Sequence, residues 1–255
     1  MRPENSVLPG ESNVADGPSA LPALGKPTDG FVSRHFNRKI SAIISKRLAN
    51  TPVTPNQISI TTMFVACLAS WWMASGEYLW LAIGGLLFQF ASILDGCDGE
   101  VARLKQMASA NGEWVDTVAD KVSYLCFYLC VTYGMYRVHN DASLLTIGLI
   151  ATALYHLVIP FEYTYLRRAE SGSAVDFLNA VTEKSPDHDK GRFHRLCSSL
   201  SFACRRDFFA AACCCLALLN RLDIIYWLFV VGSVMVVSGV ISQAASLRRT
   251  LHTTE

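Results

Sequence analysis

Residues 79–94, LWLAIGGLLFQFASIL, form an apolar run that ends in Asp95-Gly96-Cys97-Asp98-Gly99-Glu100-Val101-Ala102-Arg103; after eight further residues come Gly112, Asp116 and Asp120, which head a second apolar stretch. Asp95 and Asp98 stand three apart, and Asp116 and Asp120 four apart, so each pair lies on one face of its own helix. The short link between the stretches predicts an antiparallel helical hairpin that brings both pairs to the same depth. Carboxylates beside such apolar runs are costly unless something compensates them, and are read as functional by default.

The chain around this hairpin has 255 residues, 51% of them hydrophobic and 17% charged, with the apolar residues gathered in long blocks. That distribution predicts an all-α integral membrane protein rather than a soluble globule. Six transmembrane helices are expected, near residues 57–75, 79–94 continuing toward 103, 114–136, 144–166, 208–222 and 224–247. Residues 1–27 hold five prolines and three glycines and no sustained apolar run, which reads as a disordered cytosolic tail rather than a signal peptide. Residues 28–50 form an amphipathic juxtamembrane helix, with Val32, Phe36, Ile40, Ile43 and Ile44 on one face and Arg34 and Arg38 opposite, suited to lie on a membrane surface. Pro52 and Pro55 then break the helix. Residues 51–250 make the six-helix membrane domain.

Of 22 Lys and Arg residues, only Arg137 and Arg221 fall in loops assigned outside, which places both termini and the aspartates on the cytosolic side. The net charge of +1 gives no ground for a nucleic-acid partner. Nine cysteines, an odd count with no ligand spacing to histidines, read as small buried apolar residues. Residues 167–206 are polar and basic, either a solvated lipid-facing surface or a dock for a phosphorylated substrate or anionic lipid.

Four converging carboxylates in a low-dielectric site require compensation that one arginine does not supply. Two divalent cations do, and oxygen-only ligands favour Mg²⁺ or Mn²⁺. Cys97 projects about 100° away from each neighbour on a helix and is not counted as a ligand. Paired hard cations suit phosphoryl chemistry, and Arg103 adds a possible bidentate phosphate contact. Gly99 and Gly112 allow close approach of a substrate to the backbone, or close helix packing. Asp120, last and deepest on its face, is the candidate general base and equally a fourth metal ligand. Arg34, Arg38, Lys39, Arg167 and Arg168 are candidates for binding an acceptor phosphate. His156 and Glu162 form a second polar pair, read as a local hydrogen bond or part of an acceptor site.

The run from Asp95 to Arg103, with Gly112, Asp116 and Asp120 at their spacing, resembles the signature of the CDP-alcohol phosphotransferases at every position. The resemblance covers roughly residues 28–250. It implies a six-helix membrane domain, usually a homodimer, that transfers a substituted phosphate from a CDP-linked donor to an acceptor hydroxyl and releases CMP. It implies a dinuclear site of Asp95, Asp98, Asp116 and Asp120 with Asp120 the base, and places Gly99, Arg103 and Gly112 at the cytidine diphosphate. Pro55-Asn56 is similar to a Pro-Asn pair of the family, which puts Asn56 near the donor phosphates. Residues 26–34 and 37–41, with the wording of residues 95–100, resemble the di-myo-inositol phosphate phosphate synthases. Those use CDP-inositol and often carry a fused soluble cytidylyltransferase domain. These 255 residues hold none, so the donor is expected to come from another protein.

CDP-inositol is accordingly the expected donor, with an inositol phosphate or a lipid hydroxyl as acceptor. The alternative within the family is CDP-diacylglycerol with a small acceptor such as inositol phosphate or glycerol phosphate. A cation transporter is the rival of another class. It requires polar residues along the span, whereas only Gln89 and Ser92 interrupt residues 79–94.

Overall fold

The structure is a computed structural model that describes residues 32–160, Tyr163 and residues 206–252. Among them it is helical throughout. A π-helical turn, Ser33–Asn37, runs into α1 (Arg38–Ala49), followed by α2 (Pro55–Met73), α3 (Tyr78–Leu104), α4 (Ala110–His139), α5 (Ala142–Leu157), α6 (Arg206–Leu218) and α7 (Leu222–His252). The expected proline break separates α1 from α2. Thr54 caps α2 in a reciprocal capping box with Gln57, and Pro55 takes the first helical position, where its missing N–H costs nothing.

The α3–α4 hairpin turns over residues 105–109. Gln106 adopts a left-handed backbone there (φ 55°). Ser109 caps α4 by accepting from the Gly112 N–H at 3.1 Å. Lys105 Nζ donates to the carbonyls of Thr51 (2.6 Å) and Val53 (2.7 Å), which ties this end of α3 to the α1–α2 linker.

Helices α2 to α7 share one apolar core. The Phe88 and Phe127 rings stack at 4.6 Å between α3 and α4, and Tyr128 stacks on Phe229 of α7 at 4.4 Å. Small residues let the backbones approach. A Cβ on Gly84 would sit 2.6 Å from the Ala69 carbonyl of α2, and one on Gly134 of α4 would sit 3.0 Å from the Met73 carbonyl. Neither site admits a side chain, as close helix crossings in membranes demand.

The exterior is strongly apolar. Trp71 is 71% exposed, Leu219 69% and Phe64 64%. Apolar surface on this scale marks contact with lipid or a partner rather than water. By length and hydropathy, only Tyr78–Leu104 qualifies as a membrane-crossing helix among the described residues; Ala142–Leu157 and Leu222–Ser238 are apolar but shorter. Five of the expected spans therefore correspond to helices in the right places that do not each meet that standard. The expected tail (1–27), Arg167, Arg168, Glu162 and most of the basic segment 167–206 lie outside the described residues.

Helix α1 is amphipathic as expected, with a distinctive division of faces. Phe36 and Ile43 point outward, 56% and 58% exposed, while Asn37, Ser41 and Ser45 are buried against the protein. The side that meets α3 combines these small polar residues with Ile44 and Leu48, which pack beside Cys97 and Val101. Asn37 accepts from Gln89 Nε2 at 2.9 Å and its Nδ2 lies 3.5 Å from Ser92 Oγ, so both polar interruptions of the α3 run are used to seat this segment.

Gly84→Val should lower the thermal unfolding midpoint of the purified protein, at a cost of about 1–3 kcal/mol for overpacking. Gly232→Ala, whose added methyl meets nothing within 4 Å, should not lower it.

Candidate functional site

Asp95 and Asp98 project from α3 and Asp116 from α4, and one oxygen of each lies within 4.8 Å of the others. Three of the four expected carboxylates thus converge across the hairpin. Asp98 is buried, and Ser59 Oγ of α2 donates to its Oδ2 at 2.5 Å. A hydroxyl donor alone does not offset three acidic groups at this separation.

Asp120 stands beside the cluster, one turn along α4 from Asp116. Its Oδ1 is ion-paired with Arg206 Nη1, and the same nitrogen lies 2.8 Å from Asp95 Oδ1. Arg206, the first residue of α6, therefore bridges α3 and α4 at the site. Its neighbour Asp207 accepts from the Ser33 N–H at 2.8 Å, which joins the start of α6 to the segment before α1. In the sequence Arg206 stands at the end of the basic segment 167–206. No spacing relates it to Asp95 or Asp120, and only its position at the head of an apolar run marked it.

The expected donor-binding residues meet in two pairs, Gly112 with Asn56 and Gly99 with Arg103. The Cβ position of Gly112 lies 3.4 Å from Asn56 Oδ1 and 3.3 Å from Ser109 Oγ, so α2 and α4 meet there. The Cβ position of Gly99 lies 3.5 Å from Arg103 Nη1 and meets nothing else within 4 Å. Helix packing does not account for glycine at residue 99, in contrast to Gly84 and Gly134.

The donor set is chemically uniform. All the converging atoms are carboxylate oxygens, which suits a hard divalent cation. Cys97 turns away, its Sγ 3.7 Å from the Ser41 carbonyl of α1. Of the expected acceptor-phosphate residues, Arg34 and Lys39 are exposed on the α1 segment. Arg38 instead reaches inward, its Nη1 2.7 Å from Glu100 Oε1 and 3.2 Å from the Gly96 carbonyl. His156 Nδ1 lies 2.8 Å from the Thr152 carbonyl, a bond within its own helix. Glu100, fully buried in the middle of the motif, was not singled out from sequence.

Residues 52–178 match the profile of the CDP-alcohol phosphatidyltransferase family. The chain is 43% identical over 93 residues to the bifunctional IPC transferase and DIPP synthase of Archaeoglobus fulgidus, covering 36% of this chain and 18% of that protein. The protein of the same description from Thermococcus kodakarensis is 42% identical over 106 residues, covering 42% and 23%. The archaetidylinositol phosphate synthase of Pyrococcus horikoshii is 28% identical over 104 residues, covering 41% and 53%. The chain thus spans about a fifth of the length of the bifunctional relatives it matches.

Titrating Mn²⁺ or Mg²⁺ into the purified protein should raise its unfolding midpoint, by about 2.7 kcal/mol of stabilisation at a hundredfold excess over Kd. Asp116→Asn should abolish the rise without lowering the midpoint measured in chelator, since it removes one of the mutually repelling charges.

Proposed function

Because the chain belongs to the CDP-alcohol phosphatidyltransferase family through residues 52–178, we propose that it transfers a substituted phosphate from a CDP-linked alcohol to an acceptor hydroxyl, releasing CMP. The convergence of Asp95, Asp98 and Asp116 within 4.8 Å carries this reading, because it is the arrangement that gathers cations against a diphosphate. The carboxylates of Asp95, Asp98 and Asp116 would hold two divalent cations, Mg²⁺ or Mn²⁺, with Asp120 beside them kept for the proton. When bound, these neutralise phosphate charge and stabilise the leaving oxygen.

The remaining roles belong to the chain's own residues. Asn56, Gly99, Arg103 and Gly112 cradle the cytidine diphosphate, with Arg103 on phosphate oxygens and the bare glycine backbones admitting the nucleotide. Asp120 takes the proton of the acceptor hydroxyl. Arg206 orients that carboxylate and offers a cation to an incoming phosphate. Arg34, Lys39, Arg167 and Arg168 are the basic residues proposed to draw in a phosphorylated acceptor.

CDP-inositol is the preferred donor, supported by the inositol phosphate in the name of the Pyrococcus horikoshii relative and by the match to the bifunctional proteins. CDP-diacylglycerol with a small acceptor is the alternative within the family, and the strongly apolar exterior fits a lipid substrate. The apolar exterior supports a multi-pass arrangement of six spans over residues 51–250, with 28–50 at the interface and 1–27 a tail. Both termini and the site face the cytosol, and the outward side chains are shared between lipid and a second copy in a homodimer. A transporter path along α3 finds no support, since Gln89 and Ser92 are engaged with Asn37.

The test is CMP release by purified protein with Mn²⁺ or Mg²⁺, given CDP-inositol or CDP-diacylglycerol and candidate acceptors. Asp116→Asn should reduce turnover by about 10²- to 10³-fold, as expected when a group acting on transition-state charge is lost. No CMP from either donor would refute the reading. Gly99→Ala should fold normally yet raise the donor KM; an unchanged KM would remove Gly99 from the donor site.

A further inference from the structure

Glu100 sits two residues after Asp98 but on the other side of α3, since a helix advances about 100° per residue. It is fully buried and faces α1. Arg38 Nη1 and Ser41 Oγ donate to its Oε1 at 2.7 and 2.8 Å, and Ser45 Oγ donates to its Oε2 at 2.7 Å. The same Arg38 nitrogen donates to the Gly96 carbonyl at 3.2 Å, and a Cβ on Gly96 would lie 3.1 Å from it. Glycine at residue 96 therefore leaves room for the guanidinium. Cys97 and Val101, on the same side, are also fully buried, with Ile44 and Leu48 of α1 packed beside them.

Two faces of one helical segment thus have different tasks. Asp95 and Asp98 look into the carboxylate cluster, while Gly96, Cys97, Glu100 and Val101 lock the back of the same turns onto α1. A rotation of α3 that moved Asp98 would pull Glu100 off three donors at once. A buried carboxylate has no cheap alternative to those donors, so the lock is stiff.

We propose that Glu100 is a positioning residue. Paired with Arg38 and the hydroxyls of Ser41 and Ser45, it clamps α1 to α3 and sets the angle at which Asp95 and Asp98 are presented to cations. Arg38 then belongs to this clamp and not to an acceptor-phosphate site. The inference rests on the metal-dependent reading of the cluster, and its test separates the two.

Wild type, Arg38→Gln, Glu100→Gln and the double variant are purified in full length. Mn²⁺ binding is followed by electron paramagnetic resonance, together with unfolding midpoints, and CMP release gives kcat and the acceptor KM. Each single substitution should weaken Mn²⁺ binding by about 10- to 100-fold, as loss of groups that orient metal ligands does. The double variant should be no worse than Arg38→Gln, because neutral glutamine no longer needs the guanidinium. The acceptor KM should not change. Unaltered Mn²⁺ binding in Glu100→Gln, or strictly additive losses, would overturn the clamp. A raised acceptor KM in Arg38→Gln alone would return Arg38 to the acceptor site. Should a single variant fail to fold, Ser45→Ala removes one donor and should weaken Mn²⁺ binding in the same direction; no weakening counts against the clamp. Mn²⁺ binding without CMP release by the wild type would defeat the proposed reaction while still deciding the clamp.

Discussion

The mutual repulsion of Asp95, Asp98 and Asp116, gathered within 4.8 Å at one end of an apolar helical hairpin, is the constraint on which the surrounding structure depends. Carboxylates this close in a poorly hydrated site separate, unless the helices carrying them are held and positive charge is brought in. Holding is done on three sides. Ser59 of α2 hydrogen-bonds Asp98, the α1 helix grips the reverse face of α3 through Glu100, and Lys105 ties the turn to the α1–α2 linker. Positive charge arrives from α6, where Arg206 touches Asp95 and Asp120. Segments distant in sequence are thereby joined around a few oxygen atoms, with glycines at the helix crossings that bring them near.

The distribution of polarity follows from the same arrangement. In a water-soluble bundle, helices turn apolar stripes inward. Here α1 and the turn before it carry Ser41 and Ser45 inward beside Ile44 and Leu48, and Phe36 and Ile43 outward. A buried hydroxyl needs a hydrogen-bond partner, and the Glu100 carboxylate is the partner that Ser41 and Ser45 find. The helix is thus intelligible from its partner, and its exposed apolar side suits a lipid surface.

Much of this was legible in the chain. The three- and four-residue spacings put the aspartates on helix faces, the short link made a hairpin, and Pro52 and Pro55 ended α1 where a break was expected. The amphipathicity of α1 was also visible, but periodicity reports only that two faces differ. It does not say which face meets protein, because a lipid surround reverses the usual sign. Arg206 and Glu100 were opaque for another reason. Each acts through a tertiary contact spanning tens of residues, and a lone arginine at a helix start or a glutamate beside two aspartates has no spacing that announces its partner.

The pairing of Asp120 with Arg206 bears on the division of labour among the carboxylates. An aspartate committed to cations has its lone pairs engaged and makes a poor proton acceptor. Asp120 alone is displaced from the three-oxygen cluster and is approached instead by a guanidinium. Arginine cannot give up its proton at ordinary pH, so it orients the carboxylate without competing for the proton that a hydroxyl would lose. A guanidinium carries five donors, so one that bridges Asp95 and Asp120 could also engage a phosphate oxygen. On this geometry Asp95, Asp98 and Asp116 are grouped as a cation site would need. Asp120 is set apart from them by its pairing with Arg206, which fits its proposed role as the base.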